Sequence, residues 1–102
     1  MSNSTKVIFR HDRAKSGEVV ALFPALAGTY NPGTCSAYVH LGQHTSADLF
    51  GTVRSTRLAK PSEYRELARE LRRIGYRLTI CKRATRADYE ARKEQVTPSK
   101  GA

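Results

Sequence analysis

Three side chains able to hold a metal ion recur at four-residue steps: His40, His44 and Asp48. Imidazole and carboxylate together suit zinc or another divalent cation, and on a helix this spacing would put all three on one face. The helical premise fails, because His40 ends a strand-like stretch and Gly42 separates it from His44. A metal would therefore have to be held across a strand end and the loop after it. With Tyr38 and Gln43, and with Thr45 and Ser46 beside them, these residues make the densest polar cluster in the chain. A loop following a strand is a common place for a site. Tyr38, His40, Gln43, His44 and Asp48 are the candidate polar site, and His40, His44 and Asp48 the candidate metal ligands.

Nucleophilic chemistry has less to stand on. A nucleophile needs a positioned base and a place to stabilise an oxyanion. Cys35 and Cys81 both fall inside strand-like stretches, with no sharp turn around them and no partner at metal-ligand spacing. They read as reduced structural thiols, and a disulfide would require their two strands to be neighbours. Asp12, Glu18 and Asp48 are isolated carboxylates, and there is neither a P-loop nor a GxGxxG turn. The reading is a protein without catalysis of its own and without a cofactor.

The basic residues carry more. Net charge is +9, from 18 Lys and Arg against 9 Asp and Glu. Residues 1–51 hold four basic and three acidic residues; residues 52–102 hold 14 and six. An asymmetry of this size attracts polyanions. Arg54, Arg57 and Lys60 lead into a helix-like segment, Arg65, Arg69, Arg72 and Arg73 line it, and Arg77, Lys82, Arg83 and Arg86 follow. Arginine outnumbers lysine here, which favours bidentate phosphate contacts. The expected nucleic-acid surface is Arg65, Arg69, Arg72, Arg73, Arg77, Lys82, Arg83 and Arg86, with Tyr38 or Tyr76 available to stack on a base. No RNA-recognition signature and no zinc-finger spacing accompanies it, so binding would be independent of sequence. The expected partner is RNA or DNA, or an acidic host protein, for a monomer or a homodimer. No apolar run approaches a membrane span and no leader is recognised, so a cytoplasmic protein is expected.

The elements that must position these residues follow from periodicity. Lys6–Arg10 and Glu18–Phe23 read as a hairpin, the second strand ended by Pro24, and apolar residues on both faces make it central. Thr34–Leu41 alternates, with Cys35, Ala37, Val39 and Leu41 inward and Tyr38 and His40 on a wetter face. Residues 43–60 leave two possibilities: a short helix capped by Ser46 and containing Leu49, Phe50 and Val53, or a strand over Phe50–Arg54. Residues 62–74 predict a helix, with Ser62 as N-cap, Glu63 in the first turn and Gly75 as the stop. Tyr64, Leu67, Ala68, Leu71 and Ile74 form its apolar stripe, and Glu66–Arg69 and Glu70–Arg73 are spaced to pair. Tyr76–Arg83 is a last strand, placing Arg77 and Arg83 opposite Leu78 and Ile80. Thr85 could cap a final helix over 87–95 that has almost no apolar stripe and would fray or depend on a partner. The expectation is an α+β two-layer sandwich, β-β-β-α-β plus a C-terminal helix. Its antiparallel sheet has about four strands, with the main helix on one face. A flexible stretch over 1–5, one domain over 6–95 and a disordered tail over 96–102 complete it.

One segment adds a family resemblance. Glu18 to Gly28, EVVALFPALAG, with its Phe-Pro-x-Leu-x-Gly turn, resembles the second strand of HicB-type antitoxins. The resemblance implies their partial RNase H-like β-β-β-α-β fold, and a protein that binds and blocks a small RNase toxin. It covers about a quarter of the chain and departs after Gly28, where NPGTCSAYVHLGQH replaces the family's short turn and helix and no DNA-binding segment follows. The whole pattern is also similar to small bacterial phage- and plasmid-encoded proteins, which implies an inhibitor-like module acting on a host protein.

Overall fold

The structure, a computed structural model, describes residues 4–13, 18–39 and 43–96. Its elements are β1 (Thr5–Asp12), β2 (Val19–Ala27), β3 (Thr34–Val39), β4 (Gln43–Asp48), α1 (Leu49–Ser55), β5 (Thr56–Leu58), α2 (Pro61–Ile74), β6 (Leu78–Cys81) and α3 (Arg86–Val96). The first four strands form an antiparallel meander, so the sheet runs β4-β3-β2-β1-β5. β5 pairs antiparallel with Arg10–Asp12, while β6 pairs parallel with Thr5–Ile8. Since Ile8 also pairs with Leu22 of β2, β5 and β6 share the other edge of β1, end to end. The sheet therefore has six strands where about four were expected. Both extra strands, β4 and β5, arise from the stretch over 43–60.

The short-helix alternative holds in part: α1 contains Leu49, Phe50 and Val53, but its N-cap is Asp48 and not Ser46. Ser46 lies inside β4, the helix starts only at Leu49, and Thr56–Leu58 returns as a strand. β4 is an edge strand built from polar residues, QHTSAD, and it carries no apolar alternation by which a strand would be recognised. Its pairing with β3 creates it.

Both faces of the sheet are covered. On one, Val7, Phe9, Ala21, Phe23 and Tyr38 pack against Leu67, Ala68 and Leu71 of α2. Tyr64 stacks on Phe9 with ring centroids 4.5 Å apart, and Tyr76 on Phe23 at 5.3 Å. On the other, Ile8, Leu22, Cys35 and Ala37 pack with Leu49 of α1, flanked by Val53, Cys81 and Ala84. α3 lies on this second face too, where its Asp88 holds Lys6 at 2.7 Å. The expected two layers, with the main helix on one face, thus give way to helices on both sides. β1 and β2 are buried on both faces, as their unbroken apolar runs anticipate. Tyr38 is the clearest reversal: placed on a wetter face by alternation, it is 1% exposed because α2 covers that face.

α2 begins at Pro61, and Lys60, not Ser62, occupies the N-cap position. Proline at the first helical position loses no bond, since that N–H would be unpaired anyway. The Glu63 carboxylate accepts from the Lys60 N–H at 2.7 Å and forks onto Arg57 at 2.8 and 2.6 Å. At the far end Gly75 has φ 127° and its N–H reaches the carbonyls of Leu71 and Arg72, a left-handed stop that a side chain would strain.

α3 answers the question of its missing apolar stripe. β2 does not end at Pro24; Phe23 pairs with Ser36 and Ala27 with Cys35, so Pro24–Leu26 are looped out as an irregularity within the strand. Proline inside a strand is tolerated at a bulge, but bulged carbonyls need partners. Arg92 donates to the carbonyls of Pro24 at 2.5 Å and Pro32 at 2.9 Å, and Gln95 to that of Ala25 at 2.7 Å. The Gln95 side-chain oxygen accepts from the Ala27 N–H at 2.7 Å. Asp88, Arg92 and Gln95 recur at helical spacing, so α3 docks by a polar stripe. Thr85 caps it, exchanging bonds with Asp88 at 2.8 and 3.3 Å, a reciprocal capping box. Thr5 belongs to β1, paired with Leu78, and not to a flexible end. The expectations for residues 1–3, for 97–102 and for the turn over 14–17 fall outside the described residues.

Candidate functional site

The basic residues divide by use. Arg10 is buried and donates to the carbonyls of Val53 and Thr56, tying α1 to the sheet. Burial pulls its pKa below the ordinary value, helped by the nearby Arg13 charge. Lys6 is committed to Asp88, Arg57 to Glu63 and Arg92 to the β2 bulge. These charges build the fold. By contrast Arg65, Arg69, Arg72, Arg73, Arg77, Lys82, Arg83 and Arg86 are all exposed. No side chain of the eight forms a hydrogen bond or ion pair among the described residues.

The eight do not form one flat face. At about 100° per residue, Arg65, Arg69, Arg72 and Arg73 fall within an arc of about 100° on the outside of α2, opposite the buried Leu67, Ala68 and Leu71. Arg77 follows just before β6, its carbonyl fixed by the Thr5 N–H at 2.5 Å. Lys82, Arg83 and Arg86 come after β6, where the chain crosses to the face carrying α1 and α3. The expected open strand face bearing Arg77 and Arg83 is absent: both lie outside β6, and its Cys81 side packs into the core. β6, on the outer edge of β1, is the strand that joins the two basic groups. Glu70, spaced to pair with Arg73, accepts a short hydrogen bond from the Tyr38 hydroxyl. It leans towards the sheet, on the flank of α2 away from most of the arginine stripe.

The polar cluster is brought together in part. Tyr38 and His44 are cross-strand partners, with rings edge to face at 4.7 Å. His44 Nε2 lies 3.0 Å from the Tyr76 hydroxyl. The resulting set of Tyr38, Glu70, His44 and Tyr76 joins β3, β4 and the end of α2. Glu70 and Tyr76 were not foreseen in it, because nothing in their local sequence marks them as sheet-facing polar groups. Tyr38 is buried and cannot stack on a base. Asp48 is not in the cluster: it pairs with Thr34 at the opposite end of β4 from His44. Four residues of strand separate the two by about 13 Å, too far to share an ion. His40, and the Gln43 side chain, lie outside the described residues. Among the described residues no three His, Cys, Asp or Glu side chains gather around a metal-sized space.

A groove that sequence reading missed lies between α1 and α3. It has a volume of about 430 Å³, and its lining includes Leu49, Phe50, Val53 and Tyr89 together with Lys82, Arg83 and Arg92. Phe50 is 72% and Tyr89 39% exposed. Arg54 stands 5.7 Å over the Phe50 ring and Arg92 5.5 Å over that of Tyr89.

Cys35 is buried, and burial pushes its thiol up to about 11. β2 and β1 separate its strand from that of Cys81, and both thiols are free. No helix among the described residues is long and apolar enough to cross a membrane. No protein-family model, curated protein or solved structure matches this chain.

Proposed function

We propose that this chain is a nucleic-acid-binding accessory protein, without catalysis of its own, that holds a phosphate backbone on Arg65, Arg69, Arg72, Arg73 and Arg77 of the α2 side and on Lys82, Arg83 and Arg86 beyond β6. The observation that carries the reading is the division of labour among cations. Those needed for folding are buried or paired, whereas these eight are exposed, with no side-chain partner among the described residues. Keeping so many like charges on one small domain opposes folding by self-repulsion, and a polyanion relieves it. Arginine on a helix exterior suits bidentate phosphate contact, and no base-reading element accompanies it. The protein would work in a reducing, cytoplasmic setting, where two free cysteines are stable.

The test is the salt dependence of binding to a fluorescent oligonucleotide. Binding at about 50 mM salt, with affinity falling steeply as salt rises, is expected. Replacing Arg69, Arg72 and Arg73 together by alanine should lower the slope of log affinity against log salt by about 2–3, since each phosphate contact contributes about 0.7–0.9. Absence of binding at low salt overturns the reading.

A second reading is an antitoxin-like inhibitor acting on a host protein. β1, β2, β3, α2 and β6 occur in the β-β-β-α-β order of the fold that the Glu18–Gly28 segment resembles, with β4, α1 and β5 inserted. Co-purification of a stoichiometric protein that survives nuclease treatment would favour this reading over the first.

A further inference from the structure

The groove between α1 and α3 gives the proposed binding a strand preference. We infer that it takes an unpaired base of a single-stranded nucleic acid, stacked against Phe50 and Tyr89, with the adjoining phosphates on Lys82, Arg83 and Arg86. The inference rests on the nucleic-acid reading above and deepens it.

Two independent features meet at this place. The first is aromatic. Phe50 and Tyr89 are both exposed and both line the groove, although an exposed phenylalanine on a short helix gains nothing for stability. Each ring has a guanidinium over one face, Arg54 on Phe50 and Arg92 on Tyr89. The guanidinium fixes each ring's orientation, and both rings keep exposed surface for a flat ligand. The second is charge. The buried Leu49 and half-buried Val53 give the groove an apolar lining, yet the exposed Lys82 and Arg83 also line it and Arg86 follows at the start of α3. A stacking surface flanked by cations is the arrangement by which proteins hold single strands without reading their sequence, because every base offers a π-face. The floor has few polar groups, so no base is selected by hydrogen bonding. A volume of about 430 Å³ lies within the roughly 300–1,000 Å³ of small-ligand sites and admits one base with its sugar. A duplex keeps its bases stacked inside and could use only the phosphate contacts.

Phe50 is exposed, and its removal spares the core. The expected result for Phe50→Ala and Tyr89→Ala, with melting temperatures near that of the parent protein, is single-strand affinity weaker by about 5- to 150-fold for the pair, the range for loss of base–aromatic stacking. The salt slope and the affinity for duplex DNA of the same length should stay unchanged. An oligonucleotide carrying 2-aminopurine should lose fluorescence on binding the parent protein and keep it on binding Phe50→Ala. If the parent protein binds single strand and duplex equally, or if 2-aminopurine is not quenched, the base-stacking inference is overturned while the phosphate reading survives. If neither nucleic acid binds at low salt, both fall. A protein partner displaced by Phe50→Ala, with no change in oligonucleotide affinity, would also overturn it, by assigning the groove to a peptide.

Discussion

Glu63 and Cys35 illustrate how environment fixes what single residues can do. The Arg57 guanidinium, gripping Glu63 through two hydrogen bonds, and the Lys60 N–H hold its carboxyl down at about 2, against an ordinary value near 4.5. A carboxyl depressed on folding stabilises the native state above its unfolded pKa, and that contribution is lost as pH falls through the folded one. Thermal melts should therefore show stability declining between about pH 4.5 and 2, with a shallower decline in Glu63→Gln, which has no proton to gain. Asp88 acts in the same sense. Burial works to raise its pKa, but the bonds from Lys6 and Thr85 outweigh it and leave the group below its ordinary value. Cys35 behaves oppositely, since burial keeps its thiol protonated. Thiolate is the reactive form, so a thiol-alkylating reagent at neutral pH should modify the half-buried Cys81 first. Cys35 should react only at the rate of unfolding, and mass spectrometry of a time course separates the two.

At the scale of elements, α3 and the β2 bulge form one unit. The bulge exposes carbonyls that α3 satisfies, and α3 has no apolar stripe with which to dock otherwise. Arg92→Met keeps much of the side chain's bulk but orphans the buried Pro24 carbonyl; each such group costs about 1–3 kcal/mol. The variant should melt lower, and hydrogen exchange should rise across 86–96 before it rises in β1. Gly28 closes the same unit. A Cβ there would sit 2.4 Å from the Cys35 carbonyl oxygen and 2.8 Å from Ser46 Cβ, so β3 and β4 would have to shift. Gly28→Ala should destabilise by about 1–3 kcal/mol, the usual cost of overpacking, measurable as a lower denaturant midpoint. Gly28→Ala lies away from both sets of exposed cations, so for that variant the salt slope of oligonucleotide binding should not move.

At the scale of the whole molecule, charge is laid out around an edge. The α2 stripe lies over one face of the sheet, and Lys82 and Arg83 line the groove on the other, with Arg86 following at the start of α3. A strand tracking both groups would pass around β6. Replacing the Lys82, Arg83 and Arg86 set by alanine should reduce affinity as strongly as replacing the α2 set if both are used at once, and titration of oligonucleotides of increasing length would show the span required. Much of this arrangement was legible from residues in order. β1 and β2 carry apolar side chains on both faces, which marks a central hairpin. The Tyr64-to-Leu71 stripe with Gly75 beyond it defines α2, because a 3.6-residue period and a left-handed stop are local properties, although Ile74, expected in the stripe, is exposed. The basic excess of the second half and the exterior position of Arg65, Arg69, Arg72 and Arg73 follow from the same stripe. What tertiary structure alone decided is whatever depends on partners distant in sequence. β4 is a strand because β3 offers it an edge. Tyr38 is buried because α2 crosses its face, and α3 stands because Asp88, Arg92 and Gln95 find Lys6 and a bulged backbone. Phe50 and Tyr89 share a groove because two helices from separate segments land side by side. Periodicity records which side of an element is apolar, but not which element comes to cover it, and there lay the difference between a run of basic residues and a surface with an aromatic groove at one end.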